Sequence, residues 1–444
     1  MERYSLINAI FLKDILFIKK VGVGWSISLF SRNKNKQWDD DRGNEMQFKK
    51  VLRYIITALY IPVRKIYKVV LRLLPIDTKQ VLFSSFPDYS DNSKVLYQYM
   101  VSNPEYNMYH FVWLVDEISE EMSNTERTVF VRKKSPYHIG ISFSALKAIA
   151  TSKYIFYTHY SPILLIDEKT EQTVINLWHG CGYKDRKTPI PKKKQFDYGL
   201  VPGSVFVDIK SKFWGCKKEQ VLPIGYPRYD QMKNISKETY AYYNNLKGAY
   251  NRIILWMPTY RKTERNEFAV SKMKGYFELP LVNSVEQLQE LDKYCRDNNT
   301  LLCVKRHPKQ IRYKCENISF SNIKFINNQD LDKNNVELYG LLACVDGLIS
   351  DYSSCAIDFL LINKPIAFSL NDMVDYRESQ GFVFDDPLMY MPGHHLFSLS
   401  DMFHYIDDIC EGNDPYQQNR YKIICNTHNP CDNYCERICK NFIP

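Results

Sequence analysis

The 444-residue chain lacks several of the sequence patterns that most directly assign a function. We find no P-loop, no G-x-G-x-x-G turn and no His-x-x-x-His pair. Asp330-Leu331-Asp332 is the nearest match to a D-x-D metal pair. Repeats and low-complexity tracts are also absent. The sequence therefore predicts neither a bound cofactor nor a metal held by the protein.

Long hydrophobic runs and a secretion signal are missing too. No uncharged apolar stretch reaches the ~18 residues that suggest a membrane span. Residues 1–30 are apolar, but Asp14, Lys19 and Lys20 interrupt them and no small-residue cleavage site follows. We therefore expect a cytoplasmic chain, whose 45% hydrophobic residues can fill two or more domain cores.

The cysteines do not form a recognisable framework. Twelve of them are spread over the whole length, which does not fit a small disulfide-bonded scaffold. Near the C-terminus, Cys431, Cys435 and Cys439 repeat every four residues, which places them in one stripe along a helix. Since this segment has no C-x-x-C pair and a single histidine, we favour a packed helix face over a zinc site.

Acidic residues are absent from residues 46–76, where basic residues alternate with aliphatic ones. The basic residues are Lys49, Lys50, Arg53, Arg64, Lys65, Lys68 and Arg72. This pattern is typical of helices that lie in a membrane interface and touch anionic lipid. An ordinary basic surface helix is the alternative, and a nucleic-acid patch would need fewer aliphatics. We predict a peripheral protein on the cytoplasmic face of the membrane, with no nucleic-acid partner.

Strand-like and helix-like segments alternate after residue 77, which predicts parallel α/β sheets. The pattern restarts at Arg252, so we expect one domain over residues 77–230 and a second over 231–444, following an interface segment at 1–76. Ligand residues at strand ends in both domains indicate a cleft between them.

The most informative segment, Gly347–Leu361, predicts a strand that turns into a helix at Ser353 and Ser354. The first N–H groups of a helix have no internal partners and favour anions. We therefore expect Ser353 and Ser354 to lie at a phosphate site.

Three further motifs follow predicted strands. In Trp178-His179-Gly180, a neutral imidazole can accept a proton from a hydroxyl, although a purely structural histidine is the alternative. Lys305-Arg306-His307-Pro308 offers cations suited to a diphosphate, or else a basic loop in solvent. Pro258-Thr259-Tyr260-Arg261 offers a hydroxyl and a guanidinium.

Taken in order, these motifs resemble the CDP-glycerol glycerophosphotransferase family of teichoic acid and capsule synthesis. The matching pieces span roughly residues 78–440 and are Phe83–Phe86 with Ser90–Asn92, Trp178–Gly180 with Lys184, Pro258–Arg261, Lys305–Pro308, Ser350–Ser354 with Asp358-Phe359, Tyr376-Arg377, Gly381-Phe382 and Pro392-Gly393.

The resemblance implies a GT-B architecture, with two Rossmann-like domains facing a cleft and a closing helix at the C-terminus. It implies transfer of glycerol phosphate, or another alditol phosphate, from a CDP-alditol to a hydroxyl of a lipid-linked acceptor, with release of CMP. CDP-glycerol or CDP-ribitol, a lipid-linked glycan or polymer and an anionic membrane surface are the partners it implies.

The resemblance also implies roles for single residues. His179 is the expected general base and His307 the second catalytic histidine. Five residues are expected to hold the donor diphosphate: His307, Arg261, Lys305, Ser353 and Ser354. Asp351 and Asp358 are expected to bind ribose or position the serines, with helix capping or packing as the alternative for Asp358. Lys184 lies on the acceptor side.

This chain departs from the family pattern beside the expected base. The family usually has Thr-Pro-Leu-Lys after the His-Gly pair, but this chain has Cys181-Gly182-Tyr183-Lys184. Ribitol phosphate transfer within the same family therefore stays open, as does a GT-B glycosyltransferase that uses a nucleotide sugar. A non-catalytic lectin or scaffold would not need the convergent His, Arg and Ser residues.

Overall fold

The computed structural model describes residues 63, 66–67, 69–134, 140–166, 169–185, 195–259, 279–305 and 319–444. The described chain forms two parallel β-sheets with helices packed against them. The α/β class predicted from the alternation of strands and helices is thereby confirmed.

The first sheet has seven strands, which pair in the order β3-β2-β1-β4-β5-β6-β7, all parallel. Its strands are β1 (Asp77–Ser84), β2 (His110–Val115), β3 (Thr128–Arg132), β4 (Ser152–Tyr157), β5 (Thr173–Asn176), β6 (Tyr198–Leu200) and β7 (Val221–Leu222). The helices in this part are α1 (Asp91–Ser102), α2 (Phe143–Thr151) and α3 (Val205–Trp214).

The second sheet has six parallel strands in the order β10-β9-β8-β11-β12-β13. Its strands are β8 (Arg252–Trp256), β9 (Thr300–Lys305), β10 (Ile323–Ile326), β11 (Gly347–Ser350), β12 (Ile366–Ser369) and β13 (His394–Leu396). The helices from residue 230 onward are α4 (Asp230–Lys233), α5 (Lys237–Lys247), α6 (Val285–Asp297), α7 (Asn328–Lys333), α8 (Leu338–Cys344), α9 (Ser354–Leu360), α10 (Met373–Ser379), α11 (Leu399–Glu411), α12 (Gln417–Thr427) and α13 (Tyr434–Phe442).

Local sequence explains why these elements form. The central strands are continuous apolar runs because a parallel sheet is covered on both faces; every residue of β9 and β11 is buried. Ser284 caps α6 by accepting a hydrogen bond from the Gln287 N–H.

The strand order creates one crevice in each sheet. In the first sheet the order reverses between β1 and β4, and in the second between β8 and β11. Ligands of open α/β sheets bind outside the carboxyl ends of the strands at such reversals. The predicted motif Phe83–Phe86 runs past the end of β1, and Asp351 follows β11, so predicted motifs lie at both edges.

The last helix, α13, packs against the first sheet. The ring of Phe442 lies 6.4 Å from that of Phe156 on β4 and 5.5 Å from that of Tyr198 on β6. Cys435 and Cys439 are 1% and 0% exposed, which agrees with the predicted packed helix face. Cys431 was wrongly included in the stripe, because α13 begins only at Tyr434 and Cys431 is partly exposed.

Most of the predicted interface segment, residues 46–76, lies outside the described residues. In its described part the apolar side chains of Val69 and Leu73 are 58% and 80% exposed. Within the residues that the structure describes, no helix combines the length and apolarity that crossing a membrane requires.

Candidate active site

His179 stands in a sharp turn three residues beyond the end of β5. Trp178 and Gly180 on either side of it have positive φ angles of 55° and 122°, so the chain reverses around the histidine. Its Nδ1 lies 3.2 Å from the carbonyl oxygen of Thr158. Because a carbonyl can only accept, the proton belongs on Nδ1 and Nε2 keeps a free lone pair. The geometry therefore suits the role of a base.

The electrostatic surroundings keep this imidazole neutral. Burial lowers the pKa of His179 to about 3, and the nearby His159, Lys210 and Arg228 lower it as well. The hydrogen bond to Thr158 opposes them only in part. His179 is thus unprotonated at neutral pH, as a base must be before it accepts a proton.

The loop that carries His179 touches the first residues of α9 in the second half of the chain. A Cβ placed on Gly180 would lie 2.6 Å from Oγ of Ser354, and one placed on Gly182 would lie 2.9 Å from the backbone nitrogen of Ser354. Real Cβ atoms do not approach other atoms so closely, so only glycine permits this contact. The structure therefore brings together His179 and the serines that the sequence assigned to phosphate.

The serines occupy the predicted turn from strand to helix. Ser353 is the N-cap of α9, and its side chain accepts a hydrogen bond from the Cys355 N–H at 3.4 Å. α9 has seven residues. The first turn of the helix, rather than a long macrodipole, is therefore the feature that favours an anion here.

Lys305 ends β9 and is only 7% exposed. Its ammonium group donates a hydrogen bond of 2.7 Å to Oδ1 of Asn328, at the start of α7. Burial lowers the pKa of Lys305, while Cys355 of α9 and Asp332 of α7 raise it. A lysine in this position lies within electrostatic range of the start of α9. The other predicted donor residues, Arg261 and His307, lie outside the described residues.

Asp351 connects the loop that follows β11 to the loop that follows β8, at the crevice of the second sheet. Its carboxylate accepts a hydrogen bond of 2.7 Å from the backbone N–H of Thr259 and another from the Thr259 hydroxyl. Asp351 has no exposed surface. It therefore positions the segment that leads from β8 toward Arg261.

Asp358 is enclosed by donors and is also fully buried. Its carboxylate accepts hydrogen bonds from Arg228 at 2.5 Å, from the hydroxyl of Tyr339 at 2.6 Å and from the hydroxyl of Tyr229. This environment favours the packing alternative for Asp358 over contact with a ribose.

Arg228 is a residue that the sequence analysis missed. Its guanidinium, 5% exposed, bonds Asp91 at 2.9 Å, the carbonyl oxygen of His179 at 3.1 Å and Asp358 on α9. It thus connects the start of α1, the loop of the base and the helix of the serines. A cation within the largely apolar run 221–229 was the one available signal, because such a residue needs acidic partners.

Comparisons with known proteins agree with these features. A family model described as CDP-Glycerol:Poly(glycerophosphate) glycerophosphotransferase matches residues 66–441. The chain belongs to this family. It is therefore a transferase, and the resemblance inferred from the motifs is confirmed.

Curated relatives include enzymes named for two alditols. The chain is 26% identical to the teichoic acid poly(glycerol phosphate) polymerase of Bacillus spizizenii, over 72% of this chain and 82% of that protein. It is 23% identical to the teichoic acid ribitol-phosphate primase of the same species, over 77% of this chain and 85% of that protein.

Solved structures share the fold. A variant of the wall teichoic acid polymerase TagF superposes with a TM-score of 0.65 at 19% identity, covering 89% of this chain and 97% of that chain. Another TagF structure was soaked with CDPG.

The departure from the family pattern fills buried space. Cys181 and Tyr183 have no exposed surface, and the Tyr183 hydroxyl donates to the carbonyl oxygen of Tyr390 at 2.7 Å. Lys184 is exposed and forms an antiparallel bridge with Phe382. In this family member, residues 181–184 therefore attach the loop of the base to the loop that follows α10.

Among the described residues, no cluster of three or more His, Cys, Asp or Glu side chains is placed to hold a metal ion.

Proposed function

We propose that this glycerophosphotransferase family member transfers glycerol phosphate from CDP-glycerol to a hydroxyl group of a lipid-linked teichoic acid or capsule acceptor, and releases CMP. The contact between the His179 loop and the start of α9 carries the proposal. The loop that carries the neutral His179 contacts the segment suited to the donor diphosphate through Gly180 and Gly182. CDP-ribitol is the second candidate donor because a relative named for ribitol phosphate is similar over 77% of this chain.

The proposed reaction is a direct displacement. The acceptor oxygen attacks the β-phosphorus and forms a new P–O bond, while the bond from that phosphorus to the bridging oxygen breaks and CMP leaves. Nε2 of His179 accepts the proton of the attacking hydroxyl. Positioning and charge stabilisation provide most of the catalysis in such transfers.

Donor binding adjusts the strength of the base. A pKa of about 3 is too low for an efficient base at neutral pH, because proton transfer is best when the pKa lies near the working pH. An anion nearby stabilises the imidazolium form. The bound diphosphate therefore raises the pKa of His179, so that the base is strongest when the donor is present.

The donor side of the proposed site has five residues, of which the structure describes three. Lys305 and the first turn of α9, with Ser353 and Ser354, hold the diphosphate. Arg261 and His307 complete it on the basis of the sequence alone, with His307 as the second catalytic histidine. The proposed cleft is of the GT-B type: residues 77–230 receive the acceptor and residues 231–444 bind the donor.

The proposal includes peripheral attachment to the cytoplasmic face of the membrane. It is supported by the basic and aliphatic residues at 46–76 and by the exposed Val69 and Leu73. Co-sedimentation with vesicles tests it: anionic phosphatidylglycerol vesicles are expected to bind the protein and neutral phosphatidylcholine vesicles to leave it in solution. Equal recovery with both would contradict the proposal.

The transfer itself is tested by CMP release from CDP-glycerol in the presence of a lipid-linked acceptor. We expect release by the unaltered chain, loss of at least 100-fold in His179→Ala, and no loss in His110→Ala. His110 is a suitable control because it pairs with Asp77 at the opposite, amino-terminal edge of the first sheet. Full turnover by His179→Ala would refute the role of His179 as the base.

A further inference from the structure

A second histidine lies against His179. The rings of His159 and His179 are stacked, with centroids 4.0 Å apart and planes inclined by 10°. His159 follows β4 and His179 follows β5, so neighbouring strands deliver the two rings to the same edge of the first sheet. Trp178 lies 4.0 Å from His179 and Phe86 lies 5.7 Å from His159, so aromatic rings adjoin both.

One residue bonds both imidazoles. The backbone carbonyl of Thr158 accepts from Nδ1 of His179, while its hydroxyl lies 2.9 Å from Nδ1 of His159. Thr158 itself is completely buried, and its N–H donates to the Ser84 carbonyl on β1 at 3.3 Å. Because its backbone is fixed in this way, Thr158 can hold the two rings in a constant relation to each other.

We infer that His159 is a positioning residue for the proposed base. Its ring packs flat on His179 and, with Thr158, fixes the ring plane and the tautomer in which Nε2 can accept a proton. His159 does not itself exchange the proton, since stacked rings offer no hydrogen bond between their nitrogens. The inference rests on the proposed function, since it gives His159 a part in the same reaction.

The contact between the two rings also affects the pKa of His179. The groups that act electrostatically on His179 are His159, Lys210 and Arg228, and those that act on His159 are Asp91 and Arg228. Burial lowers the pKa of His159 as well, and Asp91 opposes this shift. Two stacked imidazoles cannot both become cations without strong repulsion. His159 therefore contributes to the low pKa of His179.

Three substitutions separate these effects. His159→Phe keeps a flat ring and removes the charge, whereas His159→Ala removes both. Thr158→Val keeps the carbonyl bond to His179 and the shape of the side chain but removes the hydroxyl that holds His159. His110→Ala again serves as the distant control.

The first measurement needs no catalysis. NMR of the histidine-labelled, full-length protein reports the tautomer and the titration of His179, whose signals are those absent from a His179→Asn sample. We expect the Nδ1–H tautomer in the unaltered protein. In His159→Phe the pKa should be higher by roughly 0.5–1, and in His159→Ala by more, because charge and burial are both lost. An unchanged His179 titration in both variants would overturn the inference.

The second measurement is the pH profile of kcat for CMP release. We expect His159→Ala to lose about 10- to 100-fold in kcat with little change in the KM for the donor. His159→Phe should keep most of the activity while its acid limb moves to higher pH. Thr158→Val should lie between the two variants. A loss of activity confined to KM, or a wild-type profile in His159→Ala, would contradict the positioning role.

The two measurements distinguish an error in the proposed function from an error in the role of His159. If the unaltered chain released no CMP from any CDP-alditol, the proposed function would be wrong, while the NMR titration would still decide whether His159 controls His179. If CMP release depended on His179 but not on His159, only the present inference would be wrong. His159→Phe keeps the ring volume, so it provides the decisive sample if His159→Ala does not fold.

Discussion

Replacing Gly182 by alanine tests the contact between the two halves of the proposed site. The added Cβ would lie 2.9 Å from the backbone nitrogen of Ser354, 3.2 Å from its Cα and 3.2 Å from the carbonyl oxygen of Tyr352. Favourable contacts between such atoms are ~3.5–4 Å. Since the neighbours are backbone atoms and cannot rotate away, the loop and the start of α9 must separate by several tenths of an ångström.

The size of the effect follows from this displacement. Overpacking of a well-packed contact costs ~1–3 kcal/mol of unfolding free energy, so the melting temperature should fall by several degrees. The loss of activity should be larger. His179 precedes Gly182 by three residues in the same loop, and a shift of ~1 Å at a reacting group can cost about 10²-fold in rate. We therefore expect kcat to fall ~10- to 100-fold in a protein that remains folded.

The assay compares this variant with Gly248→Ala. The nearest atom to a Cβ on Gly248 is 3.6 Å away, an ordinary contact, and the residue has helical backbone angles. That control should keep its activity and melting temperature. CMP release at saturating donor and acceptor gives kcat, and thermal unfolding gives stability. A Gly182→Ala protein with wild-type kcat would refute the claim that this contact sets the position of the base.

Three other substitutions are informative. Lys305→Met should raise the KM for the donor ~10- to 100-fold through loss of a charged contact, whereas Lys324→Met, at an exposed position of β10, should not; equal KM values would contradict the donor role. Asp358→Asn should cost about 3–5 kcal/mol of stability because it breaks a buried ion pair, and a raised donor KM with unchanged melting would instead indicate ribose binding. His428, 4% exposed, has a pKa lowered to about 4 by burial. The free energy of unfolding is unaffected by His428 above pH 6.5 and falls by about 3 kcal/mol as the pH falls toward 4, because in that range only the unfolded chain binds the proton. His428→Gln should remove this loss, as measured by urea unfolding at pH 4; an unchanged pH dependence would contradict this.

Local sequence was sufficient to predict most of the secondary structure. Continuous apolar runs such as 301–304 are typical of buried parallel strands, and a serine such as Ser284 is typical of the residue before a helix. β13 was not predicted, because His394–Leu396 is short and begins with two histidines. Periodicity depends on neighbours along the chain, which explains why these predictions hold for long apolar strands and not for short polar ones.

Contacts between distant residues could not be predicted in the same way. Asp358 and Arg228 are 130 residues apart, and nothing in either segment identifies its partner. The stack of His159 on His179 depends on β4 and β5 being neighbours in the sheet. The motifs indicated which residues could form a site, whereas the tertiary fold decides that Asp351 and Asp358 are enclosed by protein donors.

The central claim is that this chain uses a CDP-alditol, and a panel of donors tests it most directly. Purified protein would be given CDP-glycerol, CDP-ribitol or a UDP-sugar, each with a lipid-linked glycan acceptor, and nucleotide release would be measured with and without the acceptor. We predict acceptor-dependent CMP release from CDP-glycerol that disappears in His179→Ala. Release of UDP from the sugar donor, with no CMP from either CDP-alditol, would contradict the account.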